Sequence, residues 1–325
     1  MTPAVTPTGS EILNLAVIGA GRWGRTLIRT IGLMPGLRLA AVISSSSVIA
    51  EIEAGVPVFT DWREAVQTVP VNGIVLAVPP DRQPDIAEPI IASGMPVFLE
   101  KPLALDRAQA TRLLDVARQY GFTGLVNHLH LFTSEFCELI RRTRQSGPVR
   151  AIETVSGGRG PHRMRWSACW DWGPHDVAMT LIAMADTPET VSAEIVDRVE
   201  EDGRILENYR LVLTFENGGS ARIYTGNAFA KRQRSFRVTL GDQDLVYTEA
   251  ENHTRSLAIE RQTDKISVPV ASVAPLNAAL AVFAERVRSK TGGLADLELG
   301  AQIVDVLAAA HESVLLNRPI SLARG

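Results

Sequence analysis

Two short segments of the chain carry side chains of the kind used for proton transfer. The first is Glu100-Lys101-Pro102, in which the proline restricts the lysine backbone to extended conformations. A lysine held in this way could hydrogen-bond a substrate hydroxyl, stabilise a developing oxyanion or exchange a proton. The tripeptide by itself favours a solvated surface lysine, because most lysines are of that kind. Chemistry at Lys101 therefore needs support from the rest of the chain.

The second segment has the sequence Asp171-Trp-Gly-Pro-His175-Asp176. The apolar residues that follow predict a helix with Pro174 in its first turn, where proline is tolerated. Asp171 and His175 are four residues apart, so on a helix they face each other across one turn. A carboxylate that orients a histidine and stabilises its protonated form is a recurrent acid–base arrangement. A capping aspartate next to a buried structural histidine explains the local sequence equally well.

A third segment, Gly19-Ala-Gly21-Arg-Trp-Gly24, has the spacing of a dinucleotide-binding loop. It follows a predicted buried strand, Leu13–Ile18, and opens a predicted helix, which is the context that this motif requires. The first glycine permits a tight turn, the second lets the backbone approach a pyrophosphate, and the third packs helix against strand. The sequence therefore predicts a dinucleotide site here rather than an ordinary glycine-rich turn.

The residues after the second predicted strand bear on the choice between NAD and NADP. NAD sites usually place an acidic residue about 20 residues after the glycines, where it bonds the ribose 2′-hydroxyl. This chain has Ser44–Ser47 there and no carboxylate before Glu51. The serine hydroxyls and the nearby guanidinium of Arg22 suit a 2′-phosphate, which favours NADP. A serine-rich turn that holds NAD through backbone contacts is the alternative.

The order of the predicted elements indicates how these segments are positioned. In the first part of the chain, short apolar runs alternate with amphipathic helices, which is typical of a parallel sheet covered on both faces. The second part has strands that alternate apolar and polar residues, followed by two helices. We predict a mobile tail over residues 1–11, an α/β Rossmann domain over 12–124, and an α+β domain over 125–325 with an open-faced, mainly antiparallel β-sheet. Open sheet faces commonly serve as subunit interfaces, so we expect a homo-oligomer.

Composition excludes several classes of partner. The chain has 33 Lys+Arg against 36 Asp+Glu, for a net charge of −3, and so lacks the basic concentration that binds nucleic acid. Its two cysteines are too few for a disulfide framework. No segment comes near the ~18 consecutive apolar residues of a membrane helix, and the N-terminus has no secretory signal pattern. We expect a cytoplasmic protein that acts on a small molecule.

Together these motifs resemble the Gfo/Idh/MocA family of oxidoreductases, named for glucose–fructose oxidoreductase, inositol dehydrogenase and rhizopine catabolism. The resemblance covers nearly the whole chain and rests on AVIGAGRWG at 16–24, AVPP at 77–80, EKPLAL at 100–105 and DWGPHDVAM at 171–179. It implies reversible NAD(P)-dependent oxidation of a secondary alcohol on a sugar, cyclitol or related polyol. It also implies Lys101, Asp171 and His175 as the catalytic set. The cofactor is then expected to lie against Gly19, Gly21, Arg22, Trp23, Gly24, Ser44, Ser45, Ala77, Pro79, Glu100 and Lys101.

Two departures from the family leave the substrate open. Gln83 stands where the family often has a histidine, and the segment 127–132 lacks the family's arginine and proline. A strand in this segment would place His128 and His130 on one face, where they could line the substrate pocket or, with a carboxylate, hold a metal. Two histidines without other paired ligands are a weak indication of a metal, so we expect none.

The basic and aromatic stretch Arg159–Trp172 lies just before the predicted catalytic aspartate. Its arginines, Arg163 among them, could bind an anionic group over the site. A solvated loop with its tryptophans packed beneath it is the alternative. With this stretch included, the residues expected to bind substrate are Lys101, His128, His130, Arg163, Asp171 and His175.

These residues suggest a mechanism. His175, oriented by Asp171, takes the hydroxyl proton while a hydride moves to the nicotinamide, and Lys101 stabilises the oxyanion. The rival function is a non-catalytic dinucleotide-binding regulator or scaffold with the same fold. The three retained polar positions argue against the rival, since a sensor has no need of a lysine and a histidine next to a nicotinamide.

Overall fold

The computed structural model describes residues 12–45, 55–160 and 165–322. The chain divides into two compact units: Met1–Asn127 with Ala274–Ala301, and His128–Val273 with Gln302–Gly325. The first unit gives way to the second after Asn127, three residues beyond the predicted boundary at 124. The tail predicted over residues 1–11 lies outside the described residues.

The first unit contains a parallel sheet in the order β3-β2-β1-β4-β5-β6 within the described residues. This order reverses direction after β1, as in a doubly wound Rossmann sheet, and confirms the predicted fold class. The strands are β1 (Leu13–Ile18), β2 (Leu37–Ile43), β3 (Val58–Phe59), β4 (Gly73–Leu76), β5 (Val97–Glu100) and β6 (Gly124–Asn127). The helices of this unit, numbered along the whole chain, are α1 (Arg22–Leu33), α2 (Trp62–Thr68), α3 (Gln83–Ala92), α4 (Arg107–Tyr120) and α7 (Pro275–Ser289).

Helix α7 corrects the predicted domain plan, which assigned all of residues 125–325 to the second domain. The ring of Phe283 on α7 is buried and meets Phe98 of β5 edge to face, with 5.7 Å between ring centroids. A Cβ added at Gly73 of β4 would lie 3.0 Å from the Phe283 ring. The chain thus returns to the first unit because this apolar helix face covers its sheet, a long-range contact that local periodicity does not encode.

The parallel register brings the three sequence motifs of this unit to one edge. Ile18 at the end of β1 pairs with Leu76 at the end of β4, and Leu76 pairs with Leu99 on β5. The glycine loop, the AVPP turn and Glu100-Lys101-Pro102 therefore leave the sheet at the same carboxyl edge. In open α/β sheets this edge is where ligands bind.

The second unit contains a mixed sheet in the order β14-β13-β12-β11-β7-β10-β9-β8-β15. Only β7 and β10 pair in parallel among its described strands, so the sheet is mainly antiparallel as predicted. The strands are β7 (Ala151–Arg159), β8 (Thr190–Glu201), β9 (Arg204–Thr214), β10 (Ser220–Gly226), β11 (Ala228–Thr239), β12 (Asp244–Glu249), β13 (Arg255–Glu260), β14 (Lys265–Val268) and β15 (Ile320–Ser321). The helices α5 (Ser134–Ser146) and α6 (Ala168–Met184) belong to this unit, and α6 packs on β7, β9 and β10.

The last helix, α8 (Leu294–Leu316), runs from the end of the first unit into the second. By length and composition it could cross a membrane, with a mean hydropathy of 1.4 over its most apolar window, and half of that window is buried inside the structure. This differs from the expectation that no segment of the chain resembles a membrane-spanning helix. Acidic residues interrupt the apolar run of α8, and the core helices of many proteins have the same composition.

Candidate functional site

The glycine loop has the geometry that a dinucleotide requires. Gly19 has φ of 102°, and a Cβ there would lie 2.3 Å from the carbonyl oxygen of Ala77, so no larger residue fits. A Cβ on Gly24 would lie 2.0 Å from the Gly19 carbonyl oxygen, which shows how closely α1 approaches the loop. Gly21 caps α1, and nothing lies within 4 Å of where its Cβ would be. This open space in front of a helix N-terminus fits a pyrophosphate.

The AVPP turn supports this loop through its backbone. The amide of Ala77 donates to the Ile18 carbonyl at 2.8 Å and so continues the pairing of β4 with β1. The carbonyl of Pro79 accepts from the amides of Arg82 and Gln83, at 2.9 and 3.2 Å, and turns the chain into α3. Both residues of the turn that were predicted to contact the cofactor thus lie at the carboxyl edge of the sheet.

The predicted 2′-phosphate region is only partly described. The amide of Ser44 donates to the Phe59 carbonyl at 3.0 Å, which places Ser44 directly beyond β2, and Ser45 is exposed. Arg22 is the exposed first residue of α1. Residues 46–54, which include the remaining serines and Glu51, lie outside the described residues.

Glu100 is a buried carboxylate that connects three elements of the first unit. Its Oε1 accepts hydrogen bonds from the Trp23 indole at 2.6 Å and from the Asn127 amide at 2.8 Å. Burial raises the pKa of Glu100 from 4.5 to about 7, although both hydrogen bonds and the charge of Lys101 act in the opposite direction. The carboxyl group thus holds Trp23, in the first turn of α1, against the end of β5.

The side chain of Gln83 hydrogen-bonds the backbone on both sides of Lys101. Its amide nitrogen lies 2.6 Å from the carbonyl oxygen of Glu100 and 3.0 Å from that of Pro102, while its carbonyl oxygen accepts from the Glu100 amide at 3.0 Å. The side chain is 1% exposed, so these bonds form away from water. In the sequence, Gln83 stands out only as a departure from the family, because its contacts with residues about 17 positions away have no local signal.

The raised pKa of Glu100 predicts a pH-dependent stability. The folded protein keeps the carboxyl proton up to about pH 7, whereas the unfolded chain loses it near 4.5. The stability contributed by the protonated group is therefore complete below pH 4.5 and is lost as the pH rises through about 7. Replacing Glu100 by glutamine keeps the acceptor oxygen but removes the titration. Between pH 5 and 8, wild type should lose up to about 3 kcal/mol of unfolding free energy that Glu100→Gln does not lose.

Urea unfolding at a series of pH values measures this difference. The matched control is Glu64→Gln, which replaces an exposed carboxylate on α2 of the same unit. Its pH profile should follow that of wild type. Parallel profiles for wild type and Glu100→Gln would show that Glu100 titrates normally in the folded state.

In the second unit, Asp171 and His175 lie on the first two turns of α6, as predicted, and both are half-buried. The position of Pro174 is a correction. Helix α6 begins at Ala168, so Pro174 lies inside the helix rather than in its first turn, and it cannot donate to the Trp170 carbonyl one turn earlier. Lys101, the third predicted catalytic residue, belongs to the first unit. Arg163 lies outside the described residues.

The prediction that His128 and His130 share the face of a strand is wrong. Strand β6 ends at Asn127, and the chain enters a 3-10 turn over Leu129–Phe132 with His128 at its start. Both histidines are nevertheless buried. The turn places the His130 ring against that of His175, with centroids 4.7 Å apart and an interplanar angle of 84°. In the described part of the chain no three metal-binding side chains cluster together.

Asp176, next to His175, is the centre of a buried polar network that sequence reasoning missed. Its carboxylate is fully buried, makes an ion pair with Arg234 of β11 and accepts a hydrogen bond from the Ser156 hydroxyl of β7. Thr154 and Thr225 donate to it at 3.0 Å. These contacts hold α6 against the three strands β7, β10 and β11. The only sequence signal is a charged residue at the start of the apolar run of α6.

Comparisons with known proteins agree with this geometry. The profile of an oxidoreductase family with an NAD-binding Rossmann fold, GFO_IDH_MocA, matches residues 13–128. A solved structure from Magnetospirillum magnetotacticum, assigned as an oxidoreductase, is 33% identical, with a TM-score of 0.83 over 92% of this chain and 100% of that one. An inositol 2-dehydrogenase of Streptomyces avermitilis is 32% identical over 117 residues, which is 34% of each chain.

A rhizopine catabolism protein, MocA, of Rhizobium meliloti is 25% identical over 128 residues, which cover 39% of this chain and 40% of that protein. The matched segments thus span only about a third to two fifths of these two curated relatives. The solved structure extends the similarity over both units. The chain belongs to the Gfo/Idh/MocA family of oxidoreductases.

Proposed function

We propose that this protein is an NAD(P)-dependent oxidoreductase that interconverts a secondary alcohol and a ketone on a sugar, cyclitol or similar polyol. The observation that carries the proposal is the carboxyl edge of the Rossmann sheet. The open space at Gly21 lies there, and β5 brings Lys101 to the same edge. The similarity to an inositol 2-dehydrogenase supports a polyol as the substrate class.

In the proposed reaction, the nicotinamide supplies the redox chemistry when it is bound, by accepting the hydride of the carbinol carbon. The ammonium of Lys101 hydrogen-bonds the substrate oxygen and stabilises the negative charge that develops on it. His175 takes the proton of that hydroxyl, and the Asp171 carboxylate, one helical turn away, orients the imidazole and stabilises its protonated form. In the reverse direction His175 returns the proton to the ketone oxygen.

NADP is the cofactor that we propose. The described residues directly after β2 are Ser44 and Ser45, without a carboxylate, and Arg22 lies exposed on α1. We expect NADPH to bind at least about tenfold more tightly than NADH. Ser44→Asp, which restores an acid, should weaken NADPH binding by about tenfold or more through repulsion of the 2′-phosphate. Fluorescence titration with both cofactors measures this, and a tenfold preference of wild type for NADH would contradict the proposal.

Turnover distinguishes the proposed enzyme from a dinucleotide-binding regulator. With the preferred cofactor, a panel of polyols, cyclitols and sugars should include a substrate that changes the absorbance at 340 nm. A regulator would bind NAD(P)H with no change for any member of the panel. Lys101 and His175 favour the enzyme, since a regulator has no use for either group.

We further propose a cytoplasmic homo-oligomer that assembles through the open face of the second sheet. Cross-strand pairs on that face, Arg210–Glu194 and Arg222–Glu153, carry exposed charges of both signs. Such a face suits a symmetric partner that presents the same pattern.

A further inference from the structure

Glu249, at the end of β12, is a buried carboxylate with no role in the mechanism described so far. Its side chain is only 3% exposed. The Tyr247 hydroxyl donates to it at 3.1 Å, and the Arg255 guanidinium donates at 3.2 Å. His253 lies 3.1 Å from its other oxygen, and Arg232 lies 3.5 Å from that oxygen. So many donors converge on this carboxylate that its orientation is strongly fixed.

The same carboxylate faces the imidazole of His130. The Nδ1 atom of His130 lies 3.8 Å from Glu249 Oε2. The His130 ring in turn meets the His175 ring edge to face, with 4.7 Å between centroids. His130 and Glu249 are both less than a tenth exposed, so water screens this row of groups only weakly. The carboxylate, His130 and His175 therefore form a continuous series within the second unit.

The electrostatics of the cluster keep Glu249 ionised. Burial alone would raise its pKa, but the hydrogen bond from His253 and the charges of Arg255 and Arg234 outweigh burial and hold the pKa below its usual value. A permanent negative charge therefore lies next to His130. Such a charge favours a proton on the neighbouring imidazoles.

We propose that Glu249 is a positioning residue for His175 and acts through the imidazole of His130. This inference rests on the proposed function, in which His175 moves the substrate proton. Glu249 orients His130 by charge, and the edge-to-face packing of His130 fixes the plane of the His175 ring. When His175 takes the proton, the negative charge of Glu249 stabilises the imidazolium across His130.

Other charged groups lie on the elements packed around these rings. On α6, Asp176 is paired with Arg234, whose positive charge also acts on Glu249. Glu135 is buried on α5, which packs on β12 and β13, and His128 begins the 3-10 turn. Arg232 is 46% exposed and so is screened by water. Asp171, also on α6, lies one turn from His175 and acts on that ring directly. Glu249 is the carboxylate that faces His130, so its removal should affect His130 first and His175 through it.

The test is an NMR titration of the histidine side chains, which needs no substrate. The signals of the six histidines are assigned with single histidine variants. In Glu249→Gln, the titration midpoints of His130 and His175 should fall by about 0.5 to 1 pH unit. The matched control is Glu260→Gln, which removes a carboxylate with two ion-pair partners on the neighbouring strand β13 and should leave both midpoints unchanged.

A second variant tests the route of the effect. His130→Phe keeps an aromatic ring against His175 and leaves Glu249 and its arginines in place. In the His130→Phe background, Glu249→Gln should move the His175 midpoint by less than about 0.2 pH unit. An undiminished shift in this background, or no shift in Glu249→Gln alone, would overturn the proposal. If Glu249→Gln fails to fold, His130→Phe alone tests the route, because it leaves Glu249 and its arginines in place but removes the imidazole between Glu249 and His175. The His175 midpoint should then fall as expected for Glu249→Gln, and an unchanged midpoint would overturn the proposal.

Kinetics supply the link to the reaction. With an active substrate, Glu249→Gln should move the acidic limb of the kcat/KM profile to lower pH by the same amount and reduce kcat about tenfold. KM should change little, since Glu249 does not touch the substrate. If no substrate is found but the NMR shift occurs, the coupling stands and the oxidoreductase proposal fails. If turnover is found but the NMR shift is absent, the oxidoreductase proposal stands and the proposed coupling through His130 fails.

Discussion

Replacing Lys101 by alanine is expected to lower kcat/KM about a thousandfold while cofactor binding changes less than about threefold. In the proposed mechanism, the ammonium of Lys101 stabilises charge that appears on the substrate oxygen only in the transition state. The loop backbone should keep its conformation in the variant. Gln83 donates hydrogen bonds to the carbonyl groups on both sides of Lys101, and these bonds do not involve the lysine side chain. The loss should therefore be local to the chemistry.

Steady-state kinetics at 340 nm and fluorescence titration with NADPH measure the two effects separately. Lys265→Ala is the matched control, since that lysine is 69% exposed on the edge strand β14 and pairs only with Glu260 among the described residues. Its kinetics should equal those of wild type. Near-wild-type kcat/KM in Lys101→Ala would remove Lys101 from the catalytic set.

Replacing Asp176 by alanine is expected to reduce the free energy of unfolding by about 3 to 5 kcal/mol. The substitution leaves the guanidinium of Arg234, which is 5% exposed, without its buried counter-charge. It also removes the acceptor for Ser156 and Thr225 on the strands beneath α6. A buried charge without its partner costs far more than the lost hydrogen bonds alone, because water cannot replace the carboxylate.

Urea unfolding at pH 7 measures this loss, with two matched variants beside it. Asp244→Ala breaks the partly exposed pair with Arg237 on the same sheet and should cost less than about 1 kcal/mol. The double variant Asp176→Leu with Arg234→Met removes both charges and should recover more than half of the loss. A cost below about 1 kcal/mol for Asp176→Ala would mean that solvent reaches Arg234 in the folded protein.

Much of the first unit could be predicted because its signals are local. The strand Leu13–Ile18, the glycine loop and the helix that follows lie within some twenty consecutive residues, and the structure places all three as expected. The cap of α4 is equally local: Asp106 accepts a hydrogen bond from the amide of Gln109, three residues later, at 2.8 Å. The steric constraints that require glycine, and the hydrogen bonds that cap a helix, involve residues only a few positions apart. The sequence alone therefore predicts them.

The predictions that failed each depended on contacts between distant residues. The two-residue spacing of His128 and His130 predicts a strand, but β6 ends at Asn127, whose side chain donates a hydrogen bond to Glu100 on the adjacent strand β5. Residues 274–301 were assigned to the second domain, whereas Phe283 packs on the first sheet. The spacing of residues along the chain does not predict where a strand ends when its last residue bonds to a residue far away in the sequence.

The sequence by itself determined the kind of protein: a Rossmann domain with a dinucleotide loop, a mainly antiparallel second sheet, and the residue types for proton transfer. Only the tertiary structure decided how those residues are supported. Gln83 grips the Lys101 loop, Glu100 binds Trp23, Asp176 pairs with Arg234, and Glu249 faces His130. Each pair joins residues 17 to 119 positions apart in the sequence. These pairs form because folding buries their polar groups next to each other, and no local sequence pattern predicts them.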